Sequence, residues 1–261
     1  YPGTLGTDKM DYIIADKTVI EENDKKFYSE KIIFLPNSYQ PSEKDRLISD
    51  IKLTKKELNL PENKFIFCCF NSNQKILKQA LNLWAEILKQ TPKSILWLLS
   101  KNKNFIKNLK KEFEKENIKS DRIIFSEPIP LEKHLVRIKF ADLFLDTFPY
   151  NAHTTCSDSI WAGVPVLTKK GKSFHSRVAS SLLRTSGLDE LITNSDEEYI
   201  EKAVKIANDE KYLKHLKDKL NTSRGTNPLF NSELYTRKLE EAYEIVLKKH
   251  IENQDPDDVY L

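Results

Sequence analysis

KFIFCCFNSNQKILKQALNLWAEILKQTPKSILWLL, residues 64–99, decides the fold. A short apolar run (64–70) gives way to Ile76, Leu77, Ala80, Leu81, Trp84, Ile87 and Leu88 at helical spacing, and a second apolar run starts at Ser94, just past Thr91-Pro92. Strand, helix and strand in succession call for a parallel pair with a helical crossover. The alternation then continues. SILWLL (94–99) precedes a lysine-rich helix whose apolar face is Phe105, Ile106, Leu109 and Phe113, and whose lysines are most simply a solvated face. RIIF (122–125) leads into a helix over Leu131 to Phe140, DLFLDTF (142–148) into one ending near Ala162, and VPVLT (164–168) into one over 174–186. Gly163 and Gly187 sit where a left-handed residue ends a helix. A short LIT strand and helices at about 196–208, 210–221 and 232–249 close the unit. The expected fold class is α/β, a six-stranded Rossmann-like parallel sheet.

Working outward, residues 46–250 make the Rossmann-like domain. Residues 1–45 hold two strand-like runs, MDYIIAD and EKIIFLP, with too little chain around them to close a core, and are expected to be the remnant of a preceding domain and its connector. The tail IENQDPDDVYL (251–261) is acidic and poor in apolar residues, and is expected to be loose.

Composition excludes several functions. Of 261 residues, 39% are apolar, enough for a substantial core, and 42 basic side chains against 39 acidic ones disfavour a general nucleic-acid binder. Only six glycines occur, with none between Gly6 and Gly163, so there is no Walker loop, dinucleotide fingerprint or kinase lid. Cys68, Cys69 and Cys156 form neither a CxxC pair nor a disulfide framework, and no His/Cys/Asp grouping suggests a metal. No bound cofactor and no metal are expected. No apolar run is long enough for a membrane span, and the opening YPGTLGTDKM is unlike a signal peptide, which reads as a cytoplasmic protein with no membrane partner. The missing initiator methionine suggests further sequence upstream.

In an open parallel sheet, ligands sit beyond the carboxyl ends of the strands where the strand order reverses, between the first and fourth strands. This selects two polar loops, Asn71 to Lys75 and Pro149 to Thr155, each opening a helix. The second is an anion seat: His153, Thr154 and Thr155 add donors to the unpaired amides of a helix start, and Asp158 follows one turn later, where a carboxylate could accept from ribose hydroxyls. Lys75 could neutralise a leaving phosphate. On spacing alone, Thr154, Thr155, Ser157 and Asp158 are ordinary helix-capping and first-turn residues, Lys75 a surface lysine and His134 a helix residue. Asp146, Lys169, Lys170 and His175 have weaker claims.

The run IPLEKHLVRIKFADLFLDTFPYNAHTTCSDSIWAGVPVLT (129–168), with CCFNSNQKI (68–76), SRVASSLL (176–183) and NPLF (227–230), closely resembles the protein O-linked N-acetylglucosamine transferase family, and the opening residues and EKIIFLPNSYQP resemble it too. The resemblance implies the C-terminal half of a GT-B type glycosyltransferase, inverting and metal-independent. It implies a UDP-sugar as donor, with N-acetylglucosamine or another hexose moved to protein Ser/Thr hydroxyls, and acceptors captured by helical repeats upstream. Carried onto single positions, it makes Lys75 the catalytic lysine at the donor diphosphate and His153, Thr154 and Thr155 phosphate binders. It makes Asp158 the ribose ligand and His134 the histidine against the uracil; Asn71 joins the UDP-sugar set. Ser72 and Leu131 depart from the glutamine and lysine of the nuclear animal enzymes and leave base and ribose contacts open. The rival readings are a non-catalytic nucleotide-binding scaffold and a transferase acting on a non-protein glycan.

Overall fold

The computed structural model describes residues 3–261; the first two residues of the expected N-terminal remnant, Tyr1 and Pro2, lie outside the described residues. Six parallel strands form the main sheet: β3 (Phe65–Cys69), β4 (Ser94–Leu99), β5 (Ile123–Ser126), β6 (Leu143–Leu145), β7 (Val166–Lys169) and β8 (Ile192–Thr193), in the order β5-β4-β3-β6-β7-β8. The crossovers run through α1 (Lys78–Gln90), α2 (Lys103–Lys115), α3 (Leu131–Ile138), α4 (Thr154–Ala162) and α5 (Val178–Thr185), and α6 (Asp196–Asn208), α7 (Glu210–Ser223) and α8 (Ser232–Ile251) follow. All six expected strands and their helices are present.

The central strands are apolar on both faces because helices cover both. Ile66 to Cys69 and Ile95 to Leu98 are sealed, including the two adjacent thiols, which burial pushes far above the ordinary cysteine range. The helix bounds differ in small ways: residues 73–75 form a 3-10 turn before α1, with Leu77 as the half-exposed N-cap, residues 174–176 form another before α5, and α3 stops at Ile138, short of Phe140. Gly163 ends α4 at φ +83°, and a Cβ there would stand 2.6 Å from the Asn221 side-chain oxygen, so both the turn and the packing of α7 call for glycine.

The ends of the chain correct two expectations. Residues 12–15 (β1, Tyr12–Ala15) and 31–34 (β2, Lys31–Phe34) do close a core, because the tail supplies the missing strand. β9 (Val259–Tyr260) pairs in parallel with β2, with Ile33 opposite Val259, and the Asp258 carboxylate accepts from the Ile32 amide at 2.8 Å and pairs with Lys25 at 2.6 Å. The tail is therefore tied down at its last residues, whereas 252–257 are exposed. Strand alternation explains the packing: Ile32 and Phe34 face the main core, and Ile33 and Leu35 join Ala242 of α8 and Val259 in a second, smaller one. Asp16, buried at the end of β1, fastens this sheet to the body by accepting from the Tyr39 amide (3.0 Å) and from Ser181 of α5 (2.6 Å).

Candidate functional site

β3 pairs with β4 on one side and β6 on the other, so the strand order reverses between β3 and β6. The loops leaving their carboxyl ends must therefore meet, and they do. Asn71, at the start of the first loop, donates to Thr147 Oγ1 (2.7 Å) and to Asp146 Oδ1 (3.3 Å), and accepts from the Thr155 hydroxyl. Its amide is thereby spent on protein and only 2% exposed, which makes Asn71 a strut between the loops. Lys75 reaches across from the same loop. Its ammonium donates to the Asn151 carbonyl at 2.8 Å and lies 4.2 Å from the centre of the Tyr150 ring. Partial burial holds its pKa below the ordinary lysine range, opposed by the charge of Asp146.

The start of α4 sits beside this cation. His153 is the N-cap residue, Thr154 is exposed on the first turn and Thr155 is half-buried. The first amides of a nine-residue helix point out of this end. His153 and His175 each stack on Tyr150, at 4.8 and 5.1 Å between ring centres, so three rings and the ammonium share one corner. Burial, with Lys75 nearby, lowers His153 to about 4, and the same two causes lower His175. Both rings are neutral at neutral pH.

Asp158, one turn into α4, is 5% exposed and forms an ion pair with Arg46, whose other terminal nitrogen donates to Ser157 Oγ at 3.2 Å. Burial raises the Asp158 pKa and Arg46 only partly offsets this. Arg46 belongs to residues 36–64, which carry no helix or strand; three positions on, the Ser49 amide donates to the Glu132 carbonyl of α3 at 3.1 Å. This segment therefore passes from α4 to the start of α3, where His134 stands. His134 packs edge-on to Phe70, and its Nδ1 accepts from Arg137 at 2.8 Å. Burial and that guanidinium depress its pKa to about 4, so the ring is neutral with its proton on Nε2.

The predicted residues thus fall into three groups. Lys75, His153, Thr154 and Thr155 come together at the β3/β6 crevice, and Asn71 and Asp158 are engaged by Thr155 and Arg46 respectively. His134 lies on the neighbouring helix. Of the weaker candidates, Lys169 pairs with Asp196 and Lys170 with Glu21, outside this corner, whereas His175 belongs to it. Sequence reasoning missed Tyr150 and Arg46. Tyr150 lay inside the selected loop and an aromatic there was a readable signal; Arg46 stands 112 residues from Asp158 and carried none.

This doubly wound parallel sheet, with its strand order reversing between β3 and β6, is the Rossmann-like half of a GT-B glycosyltransferase. The chain belongs to glycosyl transferase family 41, whose model matches residues 40–239. It is 37% identical over 98% of its length to the probable UDP-N-acetylglucosamine–peptide N-acetylglucosaminyltransferase SEC of Arabidopsis thaliana, and 34% identical over 74% to the corresponding enzyme of Caenorhabditis elegans. It spans only 27% and 17% of those two proteins. A mutant O-GlcNAc transferase from Thermobaculum terrenum superimposes over 93% of this chain and 46% of its own, with a TM-score of 0.82 at 28% identity.

Proposed function

We propose that this chain is the donor-binding half of an inverting, metal-independent glycosyltransferase that moves N-acetylglucosamine or another hexose from a UDP-sugar to serine or threonine hydroxyls of proteins. The carrying observation is the convergence of Lys75, His153 and Thr155 on one helix start at the switch point, in a chain of this family. The first turn of α4 offers amides and hydroxyls to the diphosphate. The Lys75 ammonium has three N–H donors and gives one to Asn151, so it can meet a phosphate oxygen while held in place. Asp158 and His134 would take the ribose and the base. As the acceptor oxygen attacks the anomeric carbon from the face opposite the diphosphate, charge grows on the departing UDP. Lys75 and the helix start stabilise that charge more than they stabilise the bound donor.

The reading extends to acceptors captured by repeats upstream, to a cytoplasmic location, and to no nucleic-acid partner. Among the described residues no helix is long and apolar enough to cross a membrane. Calorimetric titration of the chain with UDP, with and without magnesium, tests it. Binding that ignores magnesium and vanishes in a Lys75→Ala, Asp158→Ala double variant is expected. A folded chain that does not bind UDP overturns the donor site.

A further inference from the structure

Beneath the Lys75 corner lies a carboxylate that the proposed reaction does not touch. Asp146 follows β6 directly and is fully buried. Its Oδ1 accepts from the amides of Thr147 (2.7 Å) and Ala152 (2.6 Å) and, more weakly, from Asn71 Nδ2 (3.3 Å). Its Oδ2 accepts from the Thr168 hydroxyl of β7 (2.6 Å), and its carbonyl from Tyr199 of α6 (3.1 Å). One side chain therefore gathers the β3 loop, the β6 loop and β7.

The bonds are placed with consequence. Thr147 and Ala152 bracket the loop that carries Tyr150 and Asn151, and pulling both amides onto one oxygen curls that loop back on itself. Within the curl, the Thr147 hydroxyl donates to the Tyr150 carbonyl (2.8 Å) and Asn151 Nδ2 to the Thr147 carbonyl (3.0 Å). The curl presents the Asn151 carbonyl to Lys75, and Ala152 is the residue before His153, the cap of α4. Lys75 and the helix start thus take their places from the same buried oxygen.

We infer that Asp146 is a positioning residue for the donor diphosphate, holding the Lys75 ammonium and the start of α4 in one fixed arrangement. This rests on the donor-site reading above. The charges agree with the geometry: burial depresses Lys75, and Asp146 is the carboxylate that opposes this, whereas the buried Cys69 thiol stays neutral. Cys156, Tyr199 and Cys69 are the other titratable groups that feel Asp146, and burial keeps all three uncharged. Burial raises the Asp146 pKa to about 7, with its donors and Lys75 opposing the rise, so the carboxylate carries its charge above that pH and Lys75 is the cation against which the charge acts.

The test is UDP titration of the whole chain from pH 6 to pH 10 for wild type, Asp146→Asn, Lys75→Met and the double variant, with circular dichroism as the folding control. Asp146→Asn keeps the shape and removes the charge. It is expected to weaken UDP binding about tenfold at pH 7.5 and to move the alkaline limb of the binding profile, set by Lys75, to lower pH. On the Lys75→Met background the same change should have little effect. Thr168→Val, which leaves the carboxylate in place with one donor fewer, should shift the profile in the same direction by less, and covers the case in which Asp146→Asn fails to fold. A wild type that does not bind UDP fails the donor reading. A wild type that binds, with Asp146→Asn or Thr168→Val leaving the profile unmoved, or with an equal loss on the Lys75→Met background, overturns the positioning role alone.

Discussion

Replacing Arg46 with methionine tests whether the irregular segment 36–64 is seated on α4 as the structure shows. Methionine keeps much of the side-chain volume and its contact with Phe230, whose ring lies 5.9 Å from the guanidinium, but removes the charge. Asp158 would then be a carboxylate 8% exposed in its side chain with no cation beside it. Breaking one partner out of a buried pair costs about 3 kcal/mol or more, because the remaining charge cannot be rehydrated. The folded pKa of Asp158 is already above its ordinary value, so its contribution to stability is fully present below about 3.8 and is lost as pH rises through the folded value. Without Arg46 the folded value rises further and the loss at neutral pH deepens. Urea unfolding at pH 7.5 and pH 4.5 should show Arg46→Met destabilised by about 3 kcal/mol at the higher pH and clearly less at the lower. Adding Asp158→Asn should recover about 2 kcal/mol, the signature of a coupled pair. A penalty under about 0.5 kcal/mol at pH 7.5, the usual size for an exposed site, or one that ignores pH, would refute the seating of the segment on α4.

Four further outcomes are expected. In the complete enzyme, Lys75→Met should lower turnover by about a thousandfold with the fold intact by circular dichroism; an unchanged rate removes its leaving-group role. NMR titration should find His134 and His153 neutral down to about pH 4, and because depressed histidines stabilise above their ordinary pKa, His134 alone should account for about 3 kcal/mol lost as pH falls from 6.5 through 4. Gly163→Ala should cost about 2 kcal/mol by thermal or urea unfolding, from a left-handed alanine plus displacement of Asn221. Deleting residues 258–261 should speed proteolysis within residues 31–35, since Val259 is 4% exposed and covers Ile33.

The sheet was legible because its signal is local and strong. Each strand is a bounded apolar run, each crossover has helical periodicity, and the switch point follows from strand order without any side chain being consulted. The two loops were found for the same reason. The roles of polar residues inside them were less legible, since a hydrogen bond is a property of three-dimensional neighbours. Asn71 has the residue type of a ligand contact, yet Thr147, Asp146 and Thr155 take up its amide. Asp146 has the residue type of a strand-end carboxylate, yet it organises the loop. The tail misled through composition: six exposed residues dominate 252–257, and the two that pair, Val259 and Tyr260, are too few to register as a strand.

The scarcity of glycine and the density of buried polar groups at this corner have one explanation. A glycine-rich loop brings amides near a phosphate by removing the side chains that would keep it away. The chain here has no glycine between Gly6 and Gly163, so residues 147–153 need their shape from another source. Acceptors and donors carried by the loop and its neighbours supply it: Asp146 takes both bracketing amides, Thr147 and Asn151 close the curl, and the Asn151 amide donates to the His175 carbonyl at 3.0 Å. A loop shaped this way keeps its side chains, and those side chains stand at the helix start, Tyr150 and His153 half-buried and Thr154 exposed. Such a corner can be rigid without glycine, at the cost that one buried carboxylate must stay in place, which is why a charge-removing change at Asp146 should be felt at Lys75 although the two belong to different loops.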